Sequence, residues 1–385
     1  MTSEGIIRVR ELANVLVELG EEAGLRSFLL PYPSAAQRAL DRMVLHCLGH
    51  GQVPPKGLPE LFEWCRHRSV SDRTFEIPPA LIFPEATLVH PVGLLPTRTC
   101  LELASAGTDG GPEEAARDLL TELAGRCGSE ERFHRSRQFL ALNPVVCQGD
   151  RFARGPGKRS WSKEIWSRVK DLYRPLPKAL TAEGTLLRCG TCRLPALLSG
   201  RRVPDRRTAV SGPETWCEGE TCPSGIPMDL IRTTDGVQLL VKPLRNFLSL
   251  PFRLEQAVLA DLDRAAIGHQ ALPGELSAYQ LQGIGLSFRR LHIHDRVQPA
   301  LLADRFGRFG DATSPVAVVV PEELARSARY RAAFFQALPD PDQVLLTGPV
   351  DLVARLRGEH ALSECALDET GMRGEGGAQS DTGPA

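Results

Sequence analysis

Four of the ten cysteines stand at a spacing that can do chemistry: Cys189-Gly-Thr-Cys192, then Cys217 after 24 residues, then Cys222 after four more. Two short knuckles at the ends of a hairpin-sized insert can bring four thiolates into a tetrahedron around zinc, with zinc–sulfur distances of about 2.3 Å. Every position is a thiolate and none is left for water, so the pattern predicts a closed structural site holding one Zn²⁺. Gly190 and Gly219 are expected to relieve the tight turns of the knuckles. Four unligated thiols are the bland alternative. Cys47, Cys65, Cys100, Cys127, Cys147 and Cys365 are scattered singly and read as buried or idle thiols.

A second pattern joins a carboxylate to a lysine. Pro227-Met228-Asp229 precedes Leu240-Val241-Lys242 by ten residues. That imitates the P-D-x10-E-x-K of metal-dependent nucleases, in which two carboxylates hold Mg²⁺ and the lysine activates the attacking water. Leucine stands where the glutamate belongs, and Glu255 on the following helix is the carboxylate that could replace it. Short motifs with one mismatch arise by chance, and the elements after Lys242 fit this register less well, so it is the disfavoured one.

Charge is segregated. Between Arg132 and Arg207 there are 18 Lys or Arg against five acids, a balance of +13, while the rest of the chain sums to -14 for a net of -1. Arg151, Arg154, Lys158, Arg159 and Lys163 lie among Phe152, Trp161 and Trp166, a mixture able to pair phosphates and stack on bases. An ordinary solvated face over core aromatics would read the same way, and no recognised nucleic-acid motif accompanies it.

The elements that would position these groups follow from periodicity. Residues 1 to about 130 read as helical: one helix buries Leu12, Val15, Leu16 and Leu19, a second is capped by Ser34 with the stripe Leu40, Met43, Val44, Cys47 and Leu48, and a third runs from Leu58 to His67. After Arg245 the order becomes a helix through Leu254, Val258, Leu262 and Ala265, then strands Ser277 to Leu281 and Leu286 to His294 around Gly283-Ile284-Gly285. A helix from Pro299 to Phe306, a strand Val316 to Val320, a helix Pro321 to Leu338, a strand Gln343 to Leu346 and a helix Pro349 to Arg357 complete it. Such an order suits an α/β sandwich with a mixed sheet, and it is the order of the restriction-endonuclease-like fold.

At 385 residues, 42% hydrophobic and 24% charged, the chain suits several folded units rather than a fibre or a disordered protein. Its apolar runs fall far short of the roughly 20 residues that cross a bilayer. The acid in Met1-Thr2-Ser3-Glu4-Gly5 does not suit a secretory signal, so a cytoplasmic location is expected. From Gly358 to Ala385 six acids and six glycines with few large apolar residues predict a disordered tail.

Over most of its length the sequence resembles the restriction-endonuclease-related protein associated with prokaryotic PIWI in the pPIWI-RE three-gene islands. The resemblance rests on Tyr32-Pro33 and the helix after it, Leu58-Pro59-Glu60-Leu61-Phe62-Glu63-Trp64-Cys65, and Pro96-Thr97-Arg98-Thr99-Cys100. It continues in Tyr173-Arg174-Pro175-Leu176-Pro177, the cysteine knuckles with Trp216-Cys217-Glu218, and Pro273-Gly274 followed by Ala278-Tyr279. It implies a component of an antiviral or anti-plasmid defence system, with nucleic acid (DNA favoured), a PIWI-like protein and a helicase as partners and no membrane.

The resemblance also implies a nuclease site, and the sequence departs from it. Gln280 stands where the family has an acid, and His292-Ile293-His294-Asp295 stands where it has Asp-Val-Lys-Asp. The favoured expectation is a degenerate nuclease that binds nucleic acid or partners without cutting. The alternatives are an active DNase in which His292 and His294, with Asp295 or Glu255, take Zn²⁺ or Mn²⁺, or in which Asp229 and Lys242 use Mg²⁺ or Mn²⁺; a free-standing zinc-ribbon DNA-binding regulator; and histidines with no role.

The expected fold is therefore an α+β multidomain chain: a helical domain over 1-130, a basic segment over 131-180, and a zinc ribbon over 181-225. A restriction-endonuclease-like PD-(D/E)xK α/β sandwich over 236-357 and an acidic tail over 358-385 complete it.

Overall fold

A computed structural model describes residues 4–22, 30–106, 111–147, 163–204, 208–210, 214–223, 225–232, 234–272, 274–308 and 315–358. Arg151, Arg154, Lys158 and Arg159, and the tail beyond Gly358, lie outside the described residues.

Helices α1 (Glu4–Glu22), α2 (Ser34–Gly49), α3 (Leu58–His67) and α4 (Arg98–Ser105) share one core. Leu12, Val15, Leu16 and Leu19 are buried, as their spacing requires. In α2, Leu40, Met43 and Cys47 turn inward, but Leu48 is exposed, on the last turn before the helix ends at Gly49. The start of α2 also differs from expectation. Pro33 occupies the cap without a side-chain hydrogen bond, and Ser34 is the first helical residue. The Pro33 carbonyl accepts from Gln37 N at 2.9 Å, so backbone alone closes the first turn.

Helices α5 (Pro112–Cys127) and α6 (Glu130–Leu142) begin a second core, which runs through the boundary expected at 130. It takes in β1 (Val145–Val146), α7 (Lys163–Val169) and β2 (Tyr173–Pro175). Five short strands follow: β3 (Leu186–Cys189), β4 (Pro195–Leu198), β5 (Thr208–Val210), β6 (Thr215–Cys217) and β7 (Pro227–Ile231). They pair antiparallel in the order β5-β7-β3-β4-β6. Then β8 (Gln238–Leu240) returns to lie between β1 and β2, antiparallel to both. The segment expected to open the C-terminal sandwich at 236 thus begins inside the second core. A short α8 (Lys242–Leu244) runs on into a π-helical turn, Arg245–Ser249.

The remainder is a three-layer unit. In order come α9 (Phe252–Arg264), β9 (Gly268–Ala271), β10 (Ala278–Gln282), β11 (Arg290–Ile293) and α10 (Pro299–Arg308). β12 (Val316–Val319), α11 (Glu322–Arg326), α12 (Ala328–Ala337), β13 (Val344–Thr347) and α13 (Leu352–Leu356) follow. The sheet order is β13-β12-β11-β10-β9, antiparallel through β9, β10 and β11 and parallel from β11 to β13. One face packs on α9 and α13 through Val258, Leu262, Leu281, Leu291 and Leu352, and the other on α10 and α12 through Leu302, Val318, Tyr330 and Phe334. β12 is apolar at every position because both its faces are covered. The single helix expected over Pro321 to Leu338 is broken at Ser327, whose hydroxyl accepts from Tyr330 N and caps α12.

Candidate metal centre and the sheet pocket

β3 delivers Cys189 to the end of its hairpin with β4. The connecting knuckle closes through Arg193 N to Cys189 O (3.0 Å) and Cys189 N to Leu194 O (2.9 Å). β6 delivers Cys217, and Glu220 N donates to Cys217 O at 2.9 Å before the chain reaches Cys222. The sulfurs of Cys189, Cys192, Cys217 and Cys222 all lie within 4.8 Å of one another. A tetrahedral zinc with bonds of about 2.3 Å needs sulfur–sulfur edges of about 3.8 Å, so small movements suffice. The thiols hydrogen-bond to one another, and donation from the other three pulls Cys189 far below the ordinary thiol range. A compact all-thiol set of this kind fits a soft or borderline cation such as zinc.

The glycines act differently from the expectation. Left-handed backbone in the knuckles falls on Arg193 (φ 64) and Glu220 (φ 50), not on Gly190 or Gly219. A Cβ on Gly190 would lie 2.2 Å from Pro227 O, and one on Gly219 would lie 3.1 Å from Cys222 Sγ and 3.2 Å from Cys192 Sγ. These glycines supply room, and the turns are made by their neighbours.

Buried ions brace the second knuckle. Arg245 donates to the Glu218 carboxylate from Nε (2.9 Å) and Nη2 (2.8 Å), and to Leu240 O from Nη1 (2.6 Å). Arg98, at the start of α4, donates through Nη1 to Gly219 O (3.3 Å) and Thr221 Oγ1 (3.1 Å), while its backbone N–H reaches Glu220 Oε2 (3.1 Å). Burial pushes the Glu220 carboxyl up to about 7, against the pull of the Arg98 backbone N–H and charge.

In the C-terminal sheet, Gln280 pairs with Arg290 and Ala278 with His292 across β10 and β11. Side chains at paired positions share a face. Gln280, His292 and His294 therefore point to the α10 side, where the two imidazoles, 6.0 Å apart, meet the edge of Phe306 at 5.2 and 5.9 Å. Burial, reinforced by Arg290, holds His292 down at about 4, and burial, with His292 beside it and the charges of Arg296 and Arg117, holds His294 well below its usual value. Both rings are neutral at pH 7. His292 Nδ1 and His294 Nε2 are buried without hydrogen-bond partners.

The carboxylates considered for this pocket are committed elsewhere. Asp295 accepts from Arg98 Nη2 at 3.0 Å. Glu255 is fully buried against the opposite face of the sheet, where it accepts from Arg137 (2.9 and 3.1 Å), Ser277 (3.3 Å) and the Tyr279 hydroxyl. Grouping Glu255 with the histidines is thus corrected by strand alternation, since Tyr279 and His292 face opposite sides. The other register fails on topology. Asp229 lies on β7 beside Arg188 (2.8 Å), whereas Lys242 follows β8 in a different sheet and reaches Val17 O (3.4 Å). Among the described residues, no metal-capable group of three or more side chains forms in the sheet pocket.

A polar seam joins this sheet to the helical part. Glu102 accepts from Val297 N (2.7 Å) and Gln298 N (2.9 Å), and Gln298 Nε2 donates to Thr99 Oγ1 (2.8 Å). Glu113 pairs with Arg296 (2.7 Å) and Arg305, and Arg305 also reaches Glu275 (3.0 Å). Sequence reasoning missed this seam. Its one trace was the string Thr97-Arg98-Thr99-Cys100, which supported the resemblance without suggesting burial. Of the expected phosphate contacts, Lys163 is described and exposed; elsewhere in the basic stretch Arg137 and Arg168 are engaged by Glu255 and Glu164.

No helix among the described residues is long and apolar enough to cross a membrane. No curated protein and no solved structure gives a significant match. The model of the pPIWI_RE three-gene island domain Y matches residues 8–147, which span α1 to α6 and β1 and include Arg98, Glu102 and Glu113. Over those residues the chain is similar to the pPIWI_RE three-gene island domain Y, and the match stops at Cys147, before the cysteine cluster and the C-terminal sheet.

Proposed function

We propose that the chain is a non-cleaving subunit of a PIWI-associated defence system, acting in the cytoplasm as a scaffold that binds nucleic acid or its island partners. In this reading a structural zinc at Cys189, Cys192, Cys217 and Cys222 locks the β3–β4–β6 region onto α4. The C-terminal unit is a restriction-endonuclease-like fold without its metal carboxylates. One observation carries it: the pocket face offers an amide and two neutral imidazoles, Asp295 is held by Arg98, and Glu255 lies behind the sheet. Neutral imidazole is a poor ligand for Mg²⁺, which takes oxygen donors.

The family domain over 8–147 supports a place in such a system, and the basic stretch between Arg132 and Arg207 supports a phosphate-bearing partner. Purified protein should leave plasmid and single-stranded DNA intact in Mg²⁺ and Mn²⁺ while binding them with an affinity that falls steeply with salt. Turnover abolished by His292→Ala would overturn the reading, as would binding indifferent to ionic strength. Metal analysis should find about one zinc per chain bound by thiolates; four freely titratable thiols and no zinc would remove the metal from it.

A further inference from the structure

His46 and His50 lie four residues apart at the end of α2, so their rings share one helix face, with centroids 4.2 Å apart. Glu76 approaches them from the loop after α3 with left-handed backbone (φ 52). Its Oε1 lies 3.2 Å from His50 Nε2, and its Oε2 lies 3.8 Å from His46 Nδ1 and 3.0 Å from Arg8 Nη2. One ligand atom from each of His46, His50 and Glu76 falls within 4.8 Å of the other two.

Hydrogen bonding fixes what His50 presents. Its Nδ1 is 2.8 Å from the His46 carbonyl, which can only accept, so Nδ1 carries the hydrogen and the neutral ring turns a lone pair at Nε2 toward Glu76. Two acceptors facing each other at 3.2 Å need a cation between them, a proton or a metal. His46 is buried with no hydrogen-bond partner for its Nε2. Burial and the charge of Arg8 hold its ring below the usual value. Tetrahedral coordination with bonds of about 2.0–2.1 Å needs ligand–ligand edges of about 3.3 Å; the His50–Glu76 edge is already 3.2 Å and the three ligand atoms lie within 4.8 Å of one another.

We infer that His46, His50 and Glu76 form a second divalent-metal site, of N₂O type, for Zn²⁺ or a similar borderline ion. The side chains of His50 and Glu76 are 52% and 41% exposed, so the ion reaches it from solvent and keeps a coordination position for water. Cys47, Leu48 and Gly49 separate the histidines, with no acid between them. Its effect is to tie α2 to the loop that carries Glu76. Arg8 holds Oε2 and leaves Oε1 for the ion.

The test is a Co²⁺ titration of the full chain. Wild type should take about two ions, one with the intense sulfur-to-metal bands of a thiolate site and one with weak visible bands only. His50→Ala and Glu76→Gln should reduce uptake to about one ion while keeping the thiolate bands, and Cys192→Ser should lose those bands while the nitrogen–oxygen ion remains. The inference is overturned if wild type shows no ion without sulfur bands, which would leave a protonated histidine–carboxylate pair, or if both His50→Ala and Glu76→Gln still bind that ion. Because the two sites differ in spectrum, an empty cysteine cluster would not be mistaken for failure of the histidine site.

Discussion

Arg98→Met deletes a guanidinium whose side chain is 4% exposed while keeping the length and apolar stem of the residue. Four contacts go with it: the Asp295 carboxylate at 3.0 Å, the Asp295 carbonyl, Gly219 O at 3.3 Å and Thr221 Oγ1 at 3.1 Å. Asp295, 12% exposed, is left as a buried charge without its partner. Removing one member of such a pair costs about 3–5 kcal/mol, most of it the penalty of the stranded charge. The double variant Arg98→Met/Asp295→Asn should therefore recover about 1–3 kcal/mol relative to the sum of the single effects. A chain with several cores need not unfold in one step, so urea unfolding should be followed by amide exchange at residues 293–295 and 219–222. Both segments should lose protection together in Arg98→Met. A loss under about 1 kcal/mol, or strictly additive effects in the double variant, would refute the reading of Arg98 as a buried joint.

Two further outcomes follow from the site geometry. His292 has its folded value depressed from 6.5 to about 4, so its contribution is fully present above 6.5 and lost as pH falls toward 4. The loss amounts to up to about 3 kcal/mol, and the pH slope of the urea midpoint should flatten in His292→Asn; an unchanged slope would count against a buried neutral ring. Gly219→Ala puts a methyl 3.1–3.2 Å from two cysteine sulfurs and from Leu250 Cδ1, and should speed metal loss to a chelator by about tenfold. Gly125→Ala, which meets open space, should leave that rate unchanged.

The cysteine cluster was legible because its ligands are close in sequence and thiol spacing carries a geometric meaning. The C-terminal element order was legible because burial on one face writes a period into α9 and a continuous apolar run into β12. β9 was not, since Gly268-His-Gln-Ala271 lies at a sheet edge and is nearly all polar or small. Nor was the joining of β1 to β8, whose pairing Val145 to Leu239 is a long-range event that no local pattern announces. The seam through Arg98, Glu102 and Glu113 was hidden for another reason: charged residues on helices read as solvent-facing unless their partners, here almost 200 positions away at residues 295–298, are known.

The pairing of β8 between β1 and β2 bears on how the domain matched over residues 8–147 can exist by itself. Its α5 and α6 close their core on Leu240, Leu244 and Leu248, supplied from beyond the cysteine-bearing sheet. A fragment cut after residue 147 would bare that apolar surface, take away the Val297 and Gln298 amides that hold Glu102, and leave Glu113 without Arg296 and Arg305. The core begun by α5 and α6 is thus completed only by residues that follow the cysteine cluster, so the two halves of the chain share one packed interior.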